Sequence, residues 1–294
     1  RPVTSTESML QGQLAGVTVQ ANGGDPTATP SIVIRGQGSQ NGDNVLWVVD
    51  GVPGAPIASM NDIETIVVLK DAASAAIYGA QSGAGGVILV TTKKAKEGKT
   101  SLSYDATFGV RKASNVIEPL NAEEQLEMRK LSYANAGLTL PTGWDLTKNP
   151  WVGTTRTNWM DEILQDALTQ EYNLSVSGGN EKSNYAFSGN YTDQTGIIKN
   201  SGYERFAVRA NIGSHVKPWL NTGLNINFTR SLTKFAKSNS YDYSIIRSAM
   251  LYLPTLYVGD KTEDDSYAWL SANPRTYVNT AKDELKSINV FTSA

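Results

Sequence analysis

The sequence contains no cysteine and a single histidine, His215, among 294 residues. Disulfide bonds and thiolate ligands are therefore excluded, and one histidine is too few for a histidine-based metal cluster within this chain. Basic and acidic residues nearly balance, 26 against 28, so the basic surface of a nucleic-acid-binding protein is not expected. No pair of carboxylates or nucleophile with a base stands out. We therefore expect no enzyme activity, no cofactor and no metal.

Long hydrophobic runs are missing as well. No stretch of 18 or more apolar residues occurs, so we expect no membrane-spanning helix, and no signal-peptide pattern opens the chain. Two classes remain possible: a soluble protein, or a membrane protein that crosses the bilayer with β-strands. A spanning strand needs only about 10 alternating residues, which a hydropathy window does not detect.

Aromatic residues divide the chain near residue 100. Residues 1–100 contain only Trp47 and Tyr78, whereas residues 101–294 contain the other 23 of the 25 Phe, Trp and Tyr. A lysine-rich stretch at 91–99 lies at the boundary. We predict one domain over 1–100 and a second region over 101–294.

The first region predicts a small α+β domain. Short β-branched runs bounded by turn residues favour strands, and an alanine-rich segment after Asp71 favours a helix that ends at Gly79. A second short helix is expected over 7–14. The predicted strands are 31–35, 45–49, 65–69 and 87–91.

The second region alternates with a period of two residues. Leu102, Tyr104, Phe108 and Val110 share one face of a predicted strand, and small polar residues share the other. Four similar segments follow at 172–177, 185–192, 205–212 and 220–228, and a sixth begins at 288–291. This pattern is typical of a transmembrane β-barrel, although a soluble β-sandwich with one wet face alternates in the same way.

The connections between these segments favour the barrel. Those at 178–182 and 214–218 are short, 194–202 is intermediate, and those at 111–169 and 231–286 are long. Outer-membrane barrels have short periplasmic turns and long extracellular loops. On this topology 111–169 and 231–286 are extracellular, with a helix expected from Asn121 to about residue 135 and a short one at 159–168.

Several motifs in order carry a resemblance to a known family. In the first region they are IVIRG at 32–36, VVDGVP at 48–53, DIETIVVLKDAA at 62–73, AIYG at 76–79 and GVILVTTKK at 86–94. In the second they are NLSVSGGNEKSNY at 173–185 and YERFAVRAN at 203–211. The chain resembles the SusC-like branch of the TonB-dependent outer-membrane transporters, over the plug domain and first barrel strands.

This resemblance implies an α+β plug domain followed by antiparallel transmembrane strands of a partial barrel. A plugged lumen needs about 22 strands, so we expect the chain to be an internal piece of a longer protein. The family implies import of oligosaccharides or peptides through the outer membrane, with a SusD-like surface lipoprotein as a lid. It also implies TonB as a partner, through a segment that we expect upstream of this chain.

Contacts with the plug and with substrate are expected from two groups of side chains. The polar strand faces, including Asp105, Arg205 and Arg209, are expected to meet the plug. Aromatic residues of the long loops are candidates for contact with substrate or lid: Trp144, Trp151, Trp159, Trp269 and Tyr267. Alternatively, these rings pack within the loops or lie at the membrane interface. A siderophore-type receptor and a secreted or periplasmic β-rich binding module are the alternative functions.

Overall fold

The computed structural model contains two groups of β-strands joined in sequence. It describes residues 10, 12, 17–20, 31–34, 45–55, 57, 62–70, 72–78, 85–93, 98–114, 116–235, 244–256, 273–280 and 283–293. Among these residues, no helix combines the length and the hydropathy needed to cross a bilayer.

The N-terminal region contains two small sheets. Strands β1 (Val17–Gln20) and β2 (Ser31–Ile34) pair antiparallel. The second sheet has the order β4-β3-β6-β5, with β3 and β6 parallel and the other pairs antiparallel. Its strands are β3 (Leu46–Val49), β4 (Val52–Pro53), β5 (Ile63–Leu69) and β6 (Val87–Thr92), and helix α1 (Ala72–Ala75) follows β5.

A shared apolar core joins these two sheets. Val19 and Ile32 of the first sheet are buried in one cluster with Val49 and Ile88 of the second. Phe291, from the C-terminal strand of the chain, packs against the same cluster. Burial of these β-branched residues between layers is the main favourable term that holds the N-terminal region together.

The second group is a six-stranded antiparallel sheet, which we call the wall. Its strands lie in the order β12-β11-β10-β9-β8-β7, so that every strand pairs with its neighbours in sequence. The strands are β7 (Gly98–Arg111), β8 (Ala167–Gly179), β9 (Ser183–Thr195), β10 (Gly202–Lys217), β11 (Leu220–Lys234) and β12 (Glu284–Ser293).

The wall has one apolar face and one polar face. In a typical outer-face row, Tyr104, Leu174, Val208, Phe228 and Val290 lie in register across the sheet. Exposed large side chains of this outer face are Leu102, Tyr104, Phe108, Val110, Leu174, Phe187, Phe206, Val208, Ile212, Leu224, Ile226, Ile288 and Val290. The inner face holds buried polar residues: Thr169, Asn173, Asn190, Thr192, Gln194, Arg209, Asn211, Thr229 and Thr233. In a sheet of a soluble protein the polar face would lie in water and the apolar face would be buried.

Long connections lie at one end of the wall and carry the helices. Helix α2 (Ala122–Asn135) begins with the predicted capping box, in which Asn121 accepts from the Glu124 N–H and the Glu124 carboxylate accepts from the Asn121 N–H. The helix expected at 159–168 is shorter: α3 (Trp159–Ile163) ends early because the chain bridges to Ile198 at Leu164 and enters β8 at Ala167. Helices α4 (Ile245–Leu251) and α5 (Pro274–Thr280) pack on α3.

The strands predicted for the N-terminal region agree with the structure to within two residues, whereas some wall strands extend up to six residues beyond their predicted ends. Two further features differ. Strands β1 and β4 were not expected: β4 has only two residues and includes Pro53, and β1 is stabilised by its pairing with β2. The expected start of a sixth strand is a full strand of 10 residues, Glu284–Ser293. Apart from positions 10 and 12, the helix expected over 7–14 lies outside the described residues.

Candidate functional site: the contact between the N-terminal region and the wall

A tight turn at Asp50 and Gly51 positions the first group of this contact. The two residues join β3 to β4 and both have positive φ, 50° and 84°. Positive φ at both central residues is the type I′ hairpin turn, for which Asp-Gly is a preferred pair. The turn leaves the Asp50 carboxylate largely buried at the end of the sheet, facing Thr92 of β6. Thr92 donates its N–H to Asp50 Oδ1 at 2.9 Å and its hydroxyl to Oδ2.

Arg209 of β10 reaches this carboxylate from the wall. Its Nη2 lies 3.3 Å from Asp50 Oδ2 and also donates to the Thr92 hydroxyl, while Nη1 donates to the carbonyl oxygen of Lys93 at 3.3 Å. The Arg209 and Asp50 side chains are only 8% and 14% exposed. Because so little solvent reaches this ion pair, the attraction between the two charges is screened weakly. Each buried charge is stabilised by the other, and removal of either one would leave an unpaired charge.

Asp62 forms a second polar contact with the wall. Its carboxylate accepts a hydrogen bond from the Ser188 hydroxyl of β9 at 2.8 Å, and the residue is 8% exposed. Burial raises the pKa of Asp62 above its ordinary value. The Ser188 hydrogen bond and the positive charges of Arg209, Lys93 and Arg205 act in the opposite direction but do not outweigh burial.

Arg205 makes the third contact, four residues before Arg209 and on the same face of β10. It donates to the carbonyl oxygen of Ile57 at 3.4 Å and to Asn190 Oδ1 at 3.3 Å. Asn190 in turn donates to Glu171 and Asn173 of β8 at 3.1 and 2.6 Å. These bonds orient the Arg205 guanidinium toward the N-terminal region.

The hydrogen bonds described across this contact come from Arg205 and Arg209 of β10 and Ser188 of β9. A cavity of about 30 Å³ lies between the two parts, bordered by Asp50, Asp62, Thr92, Arg209 and Phe291 among others. This volume accommodates about one water molecule. Within the described ranges, no group of three or more His, Asp and Glu is arranged to hold a metal ion. The arrangement can hold the N-terminal region against the wall and release it, because polar groups that separate can be rehydrated.

The aromatic residues expected to contact substrate or lid lie in different surroundings. Trp144 is buried, with Arg129 5.7 Å above its ring, and Trp159 is buried with its Nε1–H donating to the Leu253 carbonyl at 2.9 Å. Trp151 is 44% exposed. Trp269 and Tyr267 lie outside the described residues. Trp144 and Trp159 therefore pack within the loops, and of the three described rings only Trp151 faces solvent.

Comparison with known proteins identifies this architecture. The family model "TonB-dependent Receptor Plug Domain" matches residues 1–87. TonB-dependent receptor P3 of Formosa agariphila is 35% identical over 97% of this chain and 28% of its own length. TonB-dependent receptor SusC of Bacteroides thetaiotaomicron is 33% identical over 81% of this chain and 24% of its own length. A structure of the RagAB peptide importer in its closed-closed state superposes with a TM-score of 0.73 and 26% identity, covering 89% of this chain and 33% of that one.

The chain belongs to the SusC-like family of TonB-dependent receptors. It spans about a quarter of the length of the curated relatives that it matches. Its fold is an α+β plug followed by antiparallel strands of a partial barrel, and its location is the outer membrane. In this SusC-like receptor the apolar outer face of the wall is the lipid side, and the contact just described is the contact between plug and barrel.

Sequence reasoning identified only part of this plug–barrel contact. Arg205 and Arg209 were expected to meet the plug, and both do. Asp105, which was expected to join them, instead stays exposed on β7 and accepts a hydrogen bond from Ser103. The plug carboxylates Asp50 and Asp62 were missed. The Asp-Gly turn was a signal for the position of Asp50, but no local pattern indicates its partner 159 residues away.

Proposed function

We propose that this chain forms the plug and the first barrel strands of a SusC-like, TonB-dependent transporter that imports oligosaccharides or peptides. In this proposal residues 1–100 are the plug, residues 101–294 are the N-terminal part of the barrel, and loops 111–169 and 231–286 are extracellular. The observation that carries it is the placement of the plug against the polar face of a wall whose opposite face is apolar and exposed. That geometry suits a filled channel.

A polar contact between plug and barrel is suited to a plug that moves during transport. Arg209, Arg205 and Ser188 hold the plug through a few hydrogen bonds, with Phe291 adding one apolar contact. Water can replace each polar partner as the plug separates, so separation costs less than the exposure of an equally large apolar interface. We propose that TonB, acting through a segment outside this chain, supplies the force.

The long loops supply the external side of the proposed pathway. A SusD-like surface lipoprotein would cover them, and substrate would bind between lid and loops. Trp151 is the described aromatic candidate for such a contact, because its ring is partly exposed whereas Trp144 and Trp159 are occupied in packing. Trp269 and Tyr267 stay candidates on sequence grounds alone.

Uptake by the full-length receptor tests this proposal. Cells that carry only this transporter, expressed with its neighbouring lipoprotein, are supplied with labelled oligosaccharides or peptides. We expect saturable uptake that disappears when TonB is deleted. Co-purification distinguishes the siderophore-type alternative: a receptor that binds iron chelates and retains no surface lipoprotein would contradict the SusC-like transport function.

A further inference from the structure

A β-bulge at the short-turn end of the wall changes the direction of one lysine. Along β10 the pairing with β11 runs from Gly202 to His215, which lies opposite Asn221, and then resumes with Lys217 opposite Leu220. Val216 is the extra, unpaired residue. Alternation without the bulge would place Lys217 on the inner face with His215, whereas its pairing with Leu220 places it on the outer face.

The bulge brings Lys217 beside exposed apolar side chains. Its Nζ lies 6.0 Å from the centre of the Trp219 ring, and Trp219 and Val216 are 76% and 54% exposed. Trp219 follows Pro218 in the two-residue turn between β10 and β11. Ile212 and Leu224 of the apolar outer face lie a few residues away along the same two strands, so the cluster continues that face at its edge.

Charge distinguishes this end of the wall from the other. In the described residues 98–101, 177–185 and 213–224, the lysines Lys99, Lys182 and Lys217 outnumber the one carboxylate, Glu181. At the other end of the wall, on the same outer face, Asp193 of β9 pairs with Glu204 of β10, and Lys286 of β12 lies in the same row. Short turns mark the periplasmic side of an outer-membrane barrel, so the basic edge faces the phospholipid leaflet.

We propose that Lys217 and Trp219 form a binding site for the headgroup of an anionic phospholipid in the periplasmic leaflet. The Trp219 ring lies at the level of the headgroups, where tryptophan is enriched in membrane proteins. The Lys217 ammonium is then held at the phosphate by its contact with the ring, and Lys182 on the neighbouring turn adds positive charge. This lipid site requires only that the barrel lie in the outer membrane, and it does not depend on which substrate is transported.

Native mass spectrometry of the full-length receptor tests this site. The purified receptor is titrated separately with dioleoylphosphatidylglycerol and with dioleoylphosphatidylethanolamine. We expect the native receptor to prefer phosphatidylglycerol, and Lys217→Gln to weaken binding of that lipid about fivefold, the effect of one lysine at an anionic surface. Binding of phosphatidylethanolamine should not change.

Matched variants separate a specific site from general charge. Lys217→Arg keeps the charge and should keep the lipid preference, whereas Lys286→Gln, at the opposite edge of the outer face, should bind phosphatidylglycerol like the native receptor. Heat-dependent migration on gels shows that each variant is folded. Equal binding of the two lipids by the native receptor, an unchanged Lys217→Gln, or an equal loss in Lys286→Gln would each overturn the proposal.

Discussion

Replacement of Arg209 by methionine is the most informative perturbation of the plug–barrel contact. Methionine keeps an unbranched apolar stem but lacks the guanidinium, so the main loss is the charge and its hydrogen bonds to Asp50, Thr92 and the Lys93 carbonyl. The Asp50 carboxylate stays largely buried and keeps only the two donors of Thr92. Removal of one partner of a buried ion pair costs ~3–5 kcal/mol, which corresponds to a factor of roughly 150 to 5,000 in the docking equilibrium of the plug.

Hydrogen–deuterium exchange of the full-length receptor in detergent measures this change. Two backbone bonds close to the contact serve as reporters: Asp50 N–H to the Val90 carbonyl at 2.9 Å, and Lys93 N–H to the Asp62 carbonyl at 2.7 Å. We expect segments 46–53 and 87–93 to exchange at least about 100-fold faster in Arg209→Met. Exchange in β10 and β11 should stay slow, because their ladder does not depend on the plug.

Two further variants make the test specific. Asp50→Asn in the Arg209→Met background removes the unpaired charge and keeps a residue type that tolerates positive φ, so most of the lost protection should return. Arg230→Met alters an exposed arginine of the neighbouring strand β11 and should have no effect on the plug. If Arg209→Met changes the exchange of segments 46–53 and 87–93 by less than threefold, the ion pair does not hold the plug and the reasoning is wrong.

Three other predictions concern single groups. Because the pKa of Asp62 is raised, the docked plug binds a proton that the separated plug releases. Docking should therefore strengthen as pH falls from the raised pKa toward the ordinary value of 3.8. Hydrogen–deuterium exchange measured at several pH values should show this dependence, and Asp62→Asn should remove it. Trp159→Phe removes the indole donor of the buried Leu253 carbonyl, which keeps the Leu256 N–H as its other donor, so the loop cluster should lose about 1 kcal/mol. Local exchange in 159–163 and 245–251 should then quicken, and unchanged exchange would contradict the assigned bond. Asn121→Ala removes the cap of α2 and should cost about 1 kcal/mol, seen as faster exchange in the first turn of that helix but not in its last turn.

Local patterns explain why so many elements could be predicted. The alternation of Leu102, Tyr104, Phe108 and Val110 requires only neighbouring residues of one strand, and the same is true of β8 to β11. The capping box at Asn121 and Glu124 spans three residues and forms as expected. Strands β1 and β4 escaped prediction because their stability comes from the shared core rather than from a pattern of their own.

The loop tryptophans show where local information ends. Trp144, Trp151 and Trp159 lie within 16 residues of one another, yet two are buried and one is partly exposed. The difference arises from segments far along the chain, since Leu253 packs with Trp144 and accepts the hydrogen bond of Trp159. Composition alone could not separate packing rings from rings available to a ligand.

The sequence by itself determined the two-faced strands, the plug motifs and the membership of the SusC-like family, because period, turn chemistry and motif order are properties of short segments. Tertiary structure alone decided that Arg209 meets Asp50 and that Ser188 meets Asp62. It also decided that a single bulged residue turns Lys217 to the outer face of the wall. Each of these depends on register between strands or on contact between distant segments, and such contacts follow from the packing of the whole chain rather than from any local preference.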